Sequence, residues 1–292
     1  MFIDIHVHVM ARPTGILRNG KAPFSTPEAL LKRYDELGID KAVILPSVSP
    51  ECDYVAHDVD DALEIAAKYP DRFIPFCNID PRMMTNSPDA PLNELLKFYK
   101  SKGCKGVGEI TANLRFDNPL VENLFRHCEK AKLPVTFHIS PSIGGNYGLY
   151  DEPGLPLLEG ALRKFPKLIF LGHSQAFWAE IGPLKNPDDR KGYPKGKVQK
   201  GGRVVELMRT YPNLHGDLSA MSGFNSISRD EKFGIKFLNE FQNWLHFGTD
   251  ICAPDTPAWL PPYLIKLRDR KKISNKVFKK VASENTERLL KL

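Results

Sequence analysis

The chain has 292 residues, 42% of them hydrophobic and 26% charged. That is enough to bury one large core, and α/β barrels commonly run to this length as a single domain, so 1–292 is read as one domain. Apolar runs such as 41–46, with Ala-Val-Ile-Leu at its centre, fall far short of the roughly 18 residues of a membrane span, and the net charge of +6 is mild.

Much of the basic excess lies in Arg268-Asp269-Arg270-Lys271-Lys272 and Lys279-Lys280. Without interleaved aromatics or a binding motif, it reads as a solvated helix face and not as a nucleic-acid surface. Strand-like residues begin at Phe2, which leaves no room for a secretory leader, so a cytoplasmic location is expected. The five cysteines, Cys52, Cys77, Cys104, Cys128 and Cys252, form no Cys-x-x-Cys pair and are expected to be reduced thiols.

In chain order, short β-branched apolar runs alternate with longer amphipathic ones, the pattern of βα units and a parallel sheet. Strands are expected over 2–9, 41–45, 73–78, 104–110, 134–139, 168–171, 214–218 and 244–249. Helices are expected over 27–37, 57–68, 92–101, 119–131, 155–164, 203–210, 231–241 and 257–267, with a helical tail over 274–291. Eight strand–helix units make the (β/α)8 TIM barrel of the α/β class. A doubly wound sheet would carry a Gly-rich loop after its first strand, where this chain has His-Val-His. The Lys-, Gly- and Pro-rich segment 181–202 interrupts the sixth unit and reads either as a lid or subunit-contact loop or as plain disorder.

The first strand, Asp4-Ile5-His6-Val7-His8, alternates, so Asp4, His6 and His8 are expected on one face and Ile5, Val7 and Val9 on the other. Two imidazoles on one strand near its C-terminal end can reach a single cation. Glu109, His138, His173 and Asp250 stand at or near the ends of four other expected strands. Barrel enzymes place their chemistry at that end. Imidazole nitrogen and carboxylate oxygen suit a divalent metal, zinc first, with an open position for water. His57, His127, His215 and His246 read as structural or surface histidines, and Asp217 as a residue that could line the pocket.

Together these residues resemble the amidohydrolase superfamily: Ile3-Asp4-Ile5-His6-Val7-His8, His138, His173 and Gly248-Thr249-Asp250. Pro70-Asp71-Arg72-Phe73, Asn78-Ile79-Asp80-Pro81-Arg82 and the closing 283–290 resemble its amidohydrolase-related branch, which includes aminocarboxymuconate-semialdehyde decarboxylase. The resemblance implies metal ligation by His6, His8, His138 and Asp250, and a water held by metal, Asp250 and His173 as the catalytic pair. Many two-metal members carry a carboxylated lysine at the end of strand four. Here Glu109 stands near that place, and its Gly-Glu-Ile resembles TatD-like relatives in which a Glu binds or bridges metal, so Glu109 joins the expected ligands. One ion is favoured over two.

The expected activity is hydrolysis of a small ester, lactone or amide. The alternative on the same constellation is non-oxidative decarboxylation of an aromatic or muconate-like acid. Arg12, Tyr147 and Trp178 are the expected substrate contacts: an arginine for a carboxylate, two aromatics for an apolar wall. The sequence does not fix the oligomeric state; a homodimer is compatible with it, since barrels with long loops often pair.

Overall fold

The computed structural model describes residues 1–12, 14–17, 19–52 and 57–292. The first half of the chain runs β1 (Phe2–Val7), α1 (Pro27–Leu37), β2 (Ile39–Ile44), α2 (Val59–Lys68), β3 (Phe73–Pro75), α3 (Asn93–Ser101), β4 (Val107–Ile110), α4 (Pro119–Ala131) and β5 (Val135–Ser140). The second half runs β6 (Leu149–Tyr150), α5 (Pro156–Lys164), β7 (Phe170–His173), α6 (Gln175–Ala179), α7 (Arg203–Thr210), β8 (Leu214–Asp217), α8 (Ala220–Ser228) and α9 (Glu231–Glu240). It ends in β9 (Leu245–His246), α10 (Leu260–Asp269), α11 (Asn275–Lys279) and α12 (Asn285–Leu290). Among the described residues no helix is long and apolar enough to cross a membrane.

Strands β1-β2-β3 form one parallel arc and β4-β5-β7-β8-β9 the other. Backbone hydrogen bonds join the arcs at both seams. Lys105 N–H donates to the Pro75 carbonyl at 3.0 Å and Gly108 N–H to that of Cys77 at 2.8 Å. At the other seam Ile5 N–H donates to Phe247 at 2.9 Å and His8 N–H to Ile251 at 3.0 Å. The result is the (β/α)8 barrel, with β6 a two-residue addition beside β5.

Helix boundaries follow local chemistry. Thr26 caps α1 by accepting from Ala29 N–H, Pro27 supplies its first turn and Gly38 (φ 69°) ends it. Asn118 and Pro119 start α4 in the same way. Helix α2 begins at Val59 and not at His57, because Asp58 is its cap while His57 pairs with Ser47 in an antiparallel bridge. The sixth barrel strand starts at Phe170, two residues later than expected: the Asn213 amide donates to the carbonyls of Leu162, Phe165 and Leu168, holding the preceding turn. The shift brings His173 into the strand. Helix α8, Ala-Met-Ser-Gly-Phe-Asn-Ser-Ile-Ser, was not expected from a sequence so rich in weak helix formers.

The barrel interior below the site is apolar. Ile3, Ile5, Val43, Leu45, Phe76 and Leu171 pack together with Leu290 of α12, which plugs the end opposite the strand C-termini. This arrangement corrects the expected alternation of β1. Asp4 pairs with Ala42 and Val7 with Ile44, so three steps along β1 match two along β2. That extra residue is a β-bulge, which re-aims the side chains after it. Ile3 and Ile5 face inward, Val7 and Val9 join the outer layer beneath the helices, and His6 and His8 turn inward.

Asp4 therefore faces α1 and ties the bulge down. Its Oδ1 accepts from the backbone N–H of His6 (3.0 Å) and of Thr249 (2.9 Å), and its Oδ2 accepts from the hydroxyls of Tyr34 and Thr249, both at 2.5 Å. Asp4→Ala would strand four buried donors, for which we expect a loss of about 3–5 kcal/mol in denaturant unfolding, against about 1–2 kcal/mol for Tyr34→Phe. A loss below about 1 kcal/mol for Asp4→Ala would show that the bulge holds without this carboxylate.

Candidate metal centre

At the C-terminal rim, each inward histidine of β1 is oriented from behind. His6 Nδ1 lies 2.6 Å from Asp217 Oδ2, and His8 Nδ1 lies 2.7 Å from the Leu45 carbonyl. With those nitrogens donating, both Nε2 lone pairs point to one place, where they stand 3.1 Å apart. Two facing lone pairs need a proton or a cation between them. Glu109 Oε2 lies 3.7 Å from His6 Nε2 and 3.6 Å from His8 Nε2, and Asp250 Oδ1 lies 3.6 and 3.5 Å from the same atoms. Donors held about 2.0–2.2 Å from one tetrahedral ion stand roughly 3.3–3.6 Å apart; the edges to Asp250 lie within that range, those to Glu109 within about 0.1 Å of it, and the Nε2 pair is slightly closer.

Glu109 reaches this position by a second irregularity. Val107 pairs with Val135 and Ile110 with Phe137, again three steps against two. Gly108 (φ 140°) makes the turn possible, since a Cβ there would fall 2.6 Å from the Thr136 carbonyl oxygen. Asp250 is presented from a left-handed residue (φ 56°) whose N–H donates to the His6 carbonyl at 2.9 Å.

His138 stands beside the cluster. Its Nδ1 contacts Glu109 Oε1 at 2.9 Å, the Tyr147 ring lies over it at 4.5 Å between centroids, and a Cβ on Gly148 would strike it at 2.8 Å. His173 closes the inner wall: its Nδ1 lies 3.0 Å from Ser219 Oγ, and its Nε2 lies 3.7 Å from Glu109 Oε1 and 3.8 Å from Asp250 Oδ2. The strand passes close under His173 at Gly172, where a Cβ would meet the Phe177 ring at 2.4 Å. These groups line a cavity of about 100 Å³, walled also by Phe24, Ser47 and Cys252.

The electrostatics call for a cation. Among the described residues Glu109, Asp217 and Asp250 form ion pairs only with His6, His8, His138 and His173, and with no Lys or Arg. Burial opposes charge on His6, but Asp217, Asp250 and Glu109 outweigh it and lift its pKa to about 10. Burial raises the Glu109 carboxyl, yet His138 and His6 hold it well below the usual range. Burial lowers His173 to about 4, with the His6 charge adding to the effect.

Two expected substrate contacts lie elsewhere. Arg12 is 84% exposed and pairs with Glu64 at 3.7 Å, because the chain after β1 runs outward over α2. Trp178 is buried beneath the rim, donating from Nε1 to the Asp217 carbonyl at 2.9 Å and packing on Gly216. Tyr147 does line the cavity. His215 Nδ1 meets His246 Nε2 at 2.9 Å, and His246 Nδ1 meets Thr286 at 3.0 Å, toward the plugged end. His57 is buried beside His8, with 6.4 Å between ring centroids, and His127 sits on α4. Segment 181–202 forms a wall: its 3-10 turn, Pro187–Lys191, is anchored by buried Arg190. Asp217 and Ser219, which brace His6 and His173 from behind, are the polar residues whose bracing part the sequence did not reveal. Their strand-end position was the available signal.

A family model described as amidohydrolase matches residues 3–292. No curated protein matches the chain. Among solved structures, an uncharacterized TIM-barrel protein from Bordetella bronchiseptica is similar at a TM-score of 0.68 and 16% identity, over 99% of this chain and 98% of its own. A probable 2-pyrone-4,6-dicarboxylic acid hydrolase from Acinetobacter baumannii has a TM-score of 0.57 and 16% identity, over 100% and 99%. A 5-carboxyvanillate decarboxylase from Novosphingobium aromaticivorans, complexed with manganese and a nitrobenzoic acid, has a TM-score of 0.61 and 16% identity, over 100% and 96%.

Because His6 titrates near 10 in the ion-free form, an ion entering below that pH displaces one proton. Affinity should therefore rise about tenfold per pH unit between pH 6 and 8, read by chelator competition. Asp217→Asn should weaken binding about 10–100-fold at pH 7. Unchanged affinity in that variant would remove Asp217 from the support of His6.

Proposed function

The chain belongs to the amidohydrolase family, and on that premise we propose that it is a metal-dependent hydrolase of a small ester, lactone or amide. One ion would be held by His6, His8, Glu109 and Asp250, while His138, a ligand by the resemblance, would instead fix Glu109 through the 2.9 Å contact of its Nδ1. Zinc suits the nitrogen and oxygen donors, and manganese, which the similar decarboxylase binds, is the alternative. Bound there, the metal supplies polarisation of a carbonyl and a water acidic enough to attack near neutral pH.

The reading rests on the two faces of Asp250: Oδ1 lies 3.5–3.6 Å from the Nε2 atoms of His8 and His6, while Oδ2 lies 3.8 Å from His173 Nε2. One carboxylate thus addresses both the ion position and a neutral imidazole. Asp250 takes the proton from the attacking water as the new C–O bond forms, then passes it to the leaving oxygen or nitrogen as that bond breaks. His173, neutral at pH 7, accepts a hydrogen bond from the water and orients it, its own ring set by Ser219. The apolar floor below Ile5 and Leu171 keeps bulk water from reaching the site from that side.

Non-oxidative decarboxylation is the second reading, supported by the similarity to 5-carboxyvanillate decarboxylase. That reaction needs a group that delivers a proton to carbon. Burial and the neighbouring His6 charge leave His173 without a proton at neutral pH, so in this reading the delivery would fall to Asp250.

Elemental analysis of the purified protein should find one equivalent of a divalent metal, and His6→Ala with His8→Ala should abolish it. His173→Asn should keep the metal and lose turnover about 100-fold or more. Wild-type rates in that variant would exclude His173 from the reaction. Assays on lactones, esters and amides, run beside carbon-dioxide release from aromatic acids, separate the readings: gas without hydrolysis would replace the first by the second.

A further inference from the structure

Where segment 181–202 packs against the end of α8 there is a hollow of about 220 Å³ that shares no lining residue with the metal cavity. Lys185, Lys195 and Lys197 line it from the segment, and Arg229 lines it from the C-terminal cap of α8. Among the described residues the ion pairs of this segment are made by Arg190 and Lys191, whereas Lys185, Lys195, Lys197 and Arg229 make none. Two carboxylates stand close, and both are already engaged by backbone N–H groups. Asp189 Oδ2 accepts from Lys185 at 3.0 Å and from Asn186 at 3.1 Å, while Asp230 accepts from Phe233 through Oδ1 and from Val198 through Oδ2, each at 3.2 Å. Four cations against two carboxylates leave an excess of two positive charges around one concavity.

Arg229 is held in place by neutral groups. Its Nη1 donates to Asn225 Oδ1 at 3.1 Å and reaches toward the Pro194 carbonyl at 3.5 Å, and burial works against its charge. Its Nη2 makes no hydrogen bond within the described residues and, unlike Nε, is not shut off from the surface. Gly182 keeps the space beside that nitrogen open: a Cβ there would stand 3.7 Å from Nη2 and 3.1 Å from Val198 Cγ1. A half-buried guanidinium with a reachable, unused N–H and no carboxylate partner is suited to an oxyanion, and phosphate oxygens are among its best acceptors.

We propose that this hollow binds a phosphate group, free or carried by a small ester, with Arg229 donating from Nη2 and Lys185, Lys195 and Lys197 supplying the surrounding charge. A phosphate dianion matches the excess of two, and bound there it would tie both ends of segment 181–202 to α8. The site stands apart from the reaction proposed at the metal centre and does not depend on it.

Calorimetric titration of the metal-loaded protein at pH 8 and low salt, with inorganic phosphate, glycerol phosphate and acetate, tests it. One equivalent of phosphate or of glycerol phosphate should bind about tenfold or more tightly than acetate, and Arg229→Gln should weaken that binding about tenfold or more with metal content unchanged. The double variant Lys195→Gln with Lys197→Gln, confined to exposed side chains, should weaken it about threefold or more and serves if Arg229→Gln does not fold. Preference for one of the two ligands identifies the free ion or the ester as the source, and either upholds the site. Phosphate bound no more tightly than acetate overturns the proposal. So does binding that persists unchanged in folded Arg229→Gln or in the lysine double variant, which would place the phosphate elsewhere, the metal included.

Discussion

Between Asp4 and Val7, β1 carries one residue more than the strand beside it, and the carboxylate of Asp4 absorbs the irregularity with four hydrogen bonds. Ile3 and Ile5 fill the barrel floor, while His6 and His8 face the rim from the same strand. A regular strand could supply the floor or the paired ligands, but not both in this register, because strict alternation would send one set outward. Thr249, held by the same carboxylate, immediately precedes Asp250, so one buried acid sets the positions of donors from both ends of the sheet. The parallel irregularity at Gly108 does for Glu109 what the bulge does for His6. In this barrel, departures from regular pairing are where the chemistry is placed.

The charge balance follows from that geometry. Three carboxylates and four imidazoles are gathered where water is largely excluded, and among the described residues histidine is their only cationic partner. A buried acid cluster of this kind is tolerable when a proton or a metal supplies positive charge. Asp217, 2.6 Å from His6 Nδ1 and 3.5 Å from His173 Nδ1, favours a charged His6, while burial together with that His6 charge keeps His173 neutral. Two imidazoles whose rings lie 4.4 Å apart thereby acquire different chemical characters.

Much of this was legible in the sequence. Helices with a cap and a proline at their start, α1 and α4, have the bounds expected of them, because their signals are local. The strand-end residues His6, His8, Glu109, His173 and Asp250 do converge, since parallel strands in a closed ring bring their C-terminal ends together wherever they lie in the chain. What escaped the sequence depended on neighbours. The inward turn of Ile5 needs the register against β2, and the start of β7 is set by Asn213, more than 40 residues away. Arg12 and Trp178 were assigned by proximity to site residues along the chain. One lies on solvent and the other in the core, because direction after a strand end is a matter of loop path, which composition does not encode.

The site also straddles the seam where the barrel closes: His6 and His8 belong to β1, whereas Asp250 follows β9, and Asp4 and Thr249 meet across a separation of 245 residues. An ion held there would act as a staple on a very long loop, and part of its binding energy would go into holding the ring shut. Slow breathing of the ion-free ring would be expected to begin there, between its first and last strands, with the apolar arc β2–β3 opening later.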